Sequence, residues 1–255
     1  MASRPIHLLD ADPDLANGLS DDEFPLARKL AVARVVEAHG SQWSPDEISR
    51  QAGPGWLGLF VVRGVLMRTV HVDSRVACEI FGPGDLFRPW DADGEYAPLA
   101  IGLGWRVPRT AQLALLDRDF AGRIARWPTI TAELISRVAR RARALALNQA
   151  ASHLSHAHAR LAIAFWLLGE RWGRVGTEGI TITLPLTHET LAMLVGVRRP
   201  TVTLALKRLS EAGLLERHGS DRWLLTNRAV NALTRGDGQR LDLLGERDLP
   251  VLGGP

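Results

Sequence analysis

Arg198 and Arg199 stand directly before Pro200, Thr201 and Thr203, and Lys207 and Arg208 follow at helical spacing. Two arginines at the start of a helix suit the major groove of duplex DNA, because a guanidinium donates two parallel hydrogen bonds to guanine O6 and N7. Thr201 and Thr203 offer short hydroxyls to phosphate or base, while Lys207 and Arg208 lie toward the DNA backbone. Pro200 is tolerated because first-turn N–H groups have no partner within a helix.

The elements that must position this helix are legible on either side. Thr187 is a good N-cap for a preceding helix, and Leu186 and Leu191 occupy the two positions of a hydrophobic staple. Thr187 and His188 belong to the same expected DNA-facing set. Ala192 is small where two helices approach, Gly196 supplies the positive φ of a sharp turn, and Val202 points back into the first helix. Leu204, Leu206 and Leu209 are expected on the buried side of the second helix. Leu214 to Arg217 and Arg222 to Leu225 read as strands around His218-Gly219-Ser220-Asp221, a hairpin wing that sets Arg217 and Arg222 against phosphates.

Upstream, Thr129 to Ser152 lacks Gly and Pro and is dominated by Ala, Leu and Arg, so it reads as one long helix. Its residues Ile130, Leu134, Val138, Arg141 and Leu145 are read as a two-helix dimer seam, with a packed surface helix as the alternative. Ser155 is a candidate cap for a second helix that Gly173 stops. His153, His156 and His158 lie between the two helices. Residues two apart on a helix do not face each other and no acid or Cys lies nearby, so no metal site is expected.

Further upstream, closely spaced Gly and Pro separate short stretches rich in β-branched and aromatic residues, clearest at Leu57 to Val62, Val65 to Val72 and Val76 to Phe81. This predicts a β-barrel or sandwich. The expected organisation is α+β: a flexible arm (1–23), a β-barrel sensor domain (24–127), a dimerisation helix (128–154), a winged helix-turn-helix (155–231) and a tail (232–255).

Composition agrees with two functions in one chain. Residues 1–128 carry 14 basic and 17 acidic side chains, whereas residues 129–255 carry 17 and 11, so the positive charge sits in the half with the helical pair. A single cysteine, Cys78, excludes an intramolecular disulfide and a four-thiolate cluster. The longest apolar run, Leu161 to Leu168, is far short of the roughly 20 residues that span a bilayer, so a cytoplasmic protein without a membrane partner is expected.

From about Ala31 to Arg228 the chain resembles the Crp/Fnr family of bacterial regulators, most specifically from Leu186 to Leu215, and Gly82-Pro83-Gly84-Asp85-Leu86 is similar to the turn in that family's cyclic-nucleotide-binding barrel. The resemblance implies a homodimer on a two-fold symmetric operator, an effector in the barrel, and RNA polymerase as a further partner. Members that bind cyclic AMP follow the turn with Gly-Glu-Leu and later an Arg-Ser pair. Here the corresponding residues are Phe87-Arg88-Pro89-Trp90, and Glu95-Tyr96-Ala97-Pro98 holds no such pair, so cyclic AMP is not the expected effector. Arg88 and Trp90 are the candidate effector-pocket residues, Arg88 for a different anion, with a solvated surface arginine as the alternative. Pro200 and Leu204 also replace an acidic residue and an arginine of the family's recognition helix.

Other readings stay open. His188-Glu189 begins like a zinc-protease helix, but Ala192 stands where the second His belongs and no Gly-x-Ser-x-Gly elbow occurs, so no enzyme is expected. An effector-free or nucleoid-type DNA binder with a vestigial barrel is the alternative. A haem or gas sensor through His71 or another barrel histidine is a further one; no cofactor is expected, and the residues identify no small-molecule effector.

Overall fold

The computed structural model describes residues 5–40, 43–89 and 101–234. The chain divides into two compact units, and the division falls inside the long helix, after Arg143.

The first unit begins with a short strand β1 (Pro5–His7), helix α1 (Leu8–Ala11) and a 3-10 turn at Pro13–Ala16. Then come α2 (Phe24–Leu30), β2 (Val32–Gly40), α3 (Asp46–Ala52), β3 (Gly58–Arg63), β4 (Leu66–Val72), β5 (Arg75–Phe81), β6 (Leu86–Phe87), β7 (Gly102–Leu116), α4 (Arg118–Ile124) and α5 (Pro128–Ala151). β7 organises the sheet: its C-terminal half lies between β2 and β3, with Ala114 opposite both Val35 and Phe60, and its N-terminal half pairs with β4. The order is β1-β2-β7-β3-β6, with β4 joined to β7 and β5 to β4, so among the described residues the antiparallel sheet does not close into the expected barrel.

The expected flexible arm is corrected from Pro5 onward. Leu8, Leu9 and Leu15 are buried with Phe120, Ile130 and Leu134 in one core cluster, because an acidic segment can still hide the few leucines that lie between its charges. The arm is then tied down by Arg137, whose Nη2 donates to Asp12 Oδ1 at 2.9 Å.

The dimer seam is corrected as well. Ile130 and Leu134 face inward and fill the core of the first unit, so they are unavailable to a second helix. Arg141 also turns inward, donating to the Leu86 carbonyl at 2.8 Å and pairing with Glu79 at 3.1 Å. The apolar residues left outside are Ile135 (62% exposed), Val138, Leu145 and Leu147. With Ala142 and Gln149, the set Ile135, Val138, Ala142, Leu145 and Gln149 follows the three-then-four spacing of a coiled-coil seam.

Aromatic rings cluster on the inner face of the sheet. Phe81, Phe87 and Trp105 pack with ring centroids 4.6 to 5.7 Å apart, and Trp43 meets Trp105 edge-on. Arg68 is buried among them, lying over Phe81 and Trp105 and ion-paired with buried Glu79. Cys78 is a buried thiol on β5, outside any disulfide.

The second unit holds α6 (Ala157–Trp172), β8 (Arg174–Val175), β9 (Gly179–Thr183), α7 (His188–Val195), α8 (Arg199–Glu211), β10 (Leu215–His218), β11 (Arg222–Thr226) and α9 (Asn227–Thr234). The cap of α6 is His156, not Ser155, and its side chain makes no capping bond; the rings of His156 and His158 stack at 5.2 Å. Gly173 ends α6 as expected. The strands form a sheet in the order β10-β11-β9-β8, so the wing is the outer part of a four-stranded structure. α9 extends past residue 231, and the expected tail beyond Thr234 lies outside the described residues. No helix among the described residues is long and apolar enough to cross a membrane.

Candidate nucleic-acid interface

α7 and α8 form the helical pair that the sequence predicts. Thr187 caps α7 by accepting from the Thr190 N–H at 3.0 Å, and Leu186 and Leu191 are both buried, as a staple requires. Gly196 closes α7 in the left-handed region (φ 69°, ψ 35°), a conformation that costs a side-chain-bearing residue energy. The Val197 N–H donates to the Ala192 carbonyl across this turn at 3.0 Å, and α8 then begins at Arg199 with Arg198 as its N-cap.

Val202, Ala205 and Leu209 are the buried positions of α8, with Leu206 half-buried. Leu204 is 65% exposed, which corrects its expected place on the buried side. A helix interior face accepts positions three and four apart, so burying 202, 205 and 209 rotates 204 outward.

The other face of α8 is open. Arg198, Arg199, Pro200, Thr201, Thr203, Lys207 and Arg208 are all exposed, so the structure keeps the expected DNA-facing residues of this helix on its surface. Lys207 pairs at 3.6 Å with Glu211 one turn on. Such an exposed pair is worth little and yields readily to a phosphate.

His188 links the two helices. Its Nδ1 lies 3.0 Å from Thr203 Oγ1, and that hydroxyl also donates to the Arg199 carbonyl at 3.3 Å, so the Thr203 hydroxyl positions α8 rather than reaching outward. Burial lowers the imidazole's pKa below its ordinary value, and the charges of Arg217 and Arg199 lower it further. Arg217, expected to meet phosphate, braces the wing turn by donating to the carbonyls of Gly219 (3.1 Å) and Ser220 (3.2 Å) while its guanidinium lies over Trp223. Arg222 is exposed on the returning strand. Gly219, at φ 80°, gives the turn its positive φ.

In the first unit, Arg88 is exposed and its guanidinium stands 5.4 Å from the Trp56 ring. Pro89 is buried beside it, and Trp90 and the segment 95–98 lie outside the described residues. The Gly82–Asp85 turn is present: Gly82 N–H donates to Asp85 Oδ2 at 2.8 Å, which holds the turn shut with the chain's own carboxylate. His71 is exposed at the end of β4 and its Nε2 meets Thr69 Oγ1 at 3.2 Å.

Residues 159–234 match the Crp-like helix-turn-helix domain. The cyclic AMP receptor protein of Thermus thermophilus is 31% identical to this chain over 205 residues, which span 79% of this chain and 87% of that protein. Among solved structures, a cyclic nucleotide-binding domain containing protein from Listeria monocytogenes superposes with a TM-score of 0.58 at 14% identity, covering 88% of this chain and 99% of that one. FixK2 from Bradyrhizobium japonicum does so with a TM-score of 0.56 at 20% identity, covering 83% and 96%. The two structural likenesses carry the fold.

Proposed function

The chain belongs to the Crp/Fnr family of DNA-binding transcription regulators, and from that membership we propose that it acts as a homodimer on a two-fold symmetric operator, independently of cyclic AMP. In this reading it is a cytoplasmic protein without catalytic activity, cofactor or membrane partner, and RNA polymerase is a further partner. Two copies of α8 enter successive major grooves roughly 34 Å apart. Arg198 and Arg199 face base edges, and Lys207 and Arg208 meet phosphates.

The observation that carries the reading is the open face of α8, fixed in place by the His188–Thr203 link and the buried Val202 and Leu209. The row Ile135, Val138, Ala142 and Leu145 supports a dimer, since it offers a coiled-coil seam. Independence from cyclic AMP is supported by the contacts that Arg68, Phe81, Phe87 and Trp105 make with one another inside the sheet, and by buried Pro89, which has no N–H to donate.

Selection of genomic fragments by the full-length protein, followed by a salt titration against random DNA, tests the proposal. A specific site must retain its advantage as salt weakens the phosphate contacts. Loss of selected and random DNA in parallel favours the effector-free, nucleoid-type alternative.

A further inference from the structure

Leu204 is an apolar side chain standing 65% exposed in the middle of the face that carries Arg199, Thr201, Lys207 and Arg208. Its packing role is already filled, because Val202, Ala205 and Leu209 hold α8 to the rest of the unit. Long side chains on a helix lean toward its N-terminus, so Leu204 covers the turn that contains Pro200 and Thr201. That is the end of a recognition helix that meets base edges.

Pro200 and Leu204, one turn apart, have no side-chain donor or acceptor, and Pro200 lacks a backbone N–H as well. The major-groove edge of a G·C pair carries only donors and acceptors and offers this apolar surface no apolar group to pack on. The thymine C5-methyl is the apolar group that a major groove presents. Thr203 does not add a polar reader at this point, since its hydroxyl is engaged by His188 and the Arg199 carbonyl.

We infer that Pro200 and Leu204 form an apolar reader of a thymine methyl group, so that each half-site carries a T·A pair beside the base contacts of Arg199. The inference rests on the groove-reading role proposed above for α8. It assigns part of the operator's composition, and it gives Leu204 a specificity-determining role.

The test uses the full-length protein and operators selected from random DNA. Each thymine of one half-site is replaced in turn by deoxyuridine, which removes the methyl group and leaves the base pair intact. Wild type should lose about fourfold in affinity at one position, the value of burying one methyl-sized group. Leu204→Ala should bind unmodified and substituted operators equally, and Leu204→Arg should lose the preference for thymine there. Because Leu204 is exposed, both variants should melt as wild type does, which a thermal scan checks. Selected half-sites without thymine, no penalty at any deoxyuridine, or a penalty that persists in Leu204→Ala would overturn the inference while leaving sequence-specific binding in place. Failure to select any sequence would instead remove the operator-reading proposal, and this inference with it.

Discussion

His188 Nδ1 lies 3.0 Å from Thr203 Oγ1, so a side-chain hydrogen bond joins the first turn of α7 to the second turn of α8. The bond adds to the buried packing of Val202, Ala205 and Leu209 that seats α8 in the unit. Its imidazole is held below the ordinary pKa by burial first, then by the charges of Arg217 and Arg199.

This lowered pKa sets the direction of a pH effect. The unfolded chain takes up a proton near the ordinary value of 6.5, whereas the folded chain does so only at lower pH. Between those two points the unfolded state binds more protons. The contribution of His188 to stability is therefore full above pH 6.5 and is lost as pH falls through that value toward the folded one. His188→Gln should show a smaller fall in melting temperature between pH 7 and pH 5 than wild type, as read by circular dichroism. Equal falls in the two proteins would remove His188 from the effect.

The outward row on α5 predicts the oligomeric state. Val138→Asp together with Leu145→Asp places charges in the proposed seam and should convert a dimer to a monomer in sedimentation equilibrium, with little change in melting of the first unit. Leu134→Ala should behave differently: it lies in the core and should cost about 2–5 kcal/mol of stability. A double variant that remains dimeric would place the interface elsewhere.

The buried pair of Arg68 and Glu79 gives a third expectation. Glu79→Gln leaves the guanidiniums of Arg68 and Arg141 beside a neutral amide, and removing one member of a buried pair costs about 3–5 kcal/mol. Chemical denaturation should show this as a lower midpoint. An unchanged midpoint would mean that the pair adds nothing to the stability of the sheet.

The helical pair and its wing were legible because their signals are local: a capping Thr187, a turn at Gly196, a hairpin turn at Gly219. Leu204 was misplaced because Leu204 and Ala205 both fit a helical stripe, and the sequence favours the larger apolar residue for the core. The structure buries the alanine instead, in the 202, 205, 209 row. The seam of α5 failed for a related reason. Ile130 and Leu134 are periodic with Val138, and only the fold shows that the N-terminal leucines Leu8, Leu9 and Leu15 share their core. The inward turn of Arg141 follows from its partners Glu79 and Leu86, which are far away in sequence.

Arg199 gives the most direct test of the whole account. Its affinity contribution should be measured by fluorescence anisotropy on a selected two-fold operator and on a scrambled duplex at the same salt. If α8 reads a major groove, Arg199→Ala should cost about 1–3 kcal/mol on the operator and little on the scrambled sequence. Equal losses on both duplexes, or none on either, would contradict it.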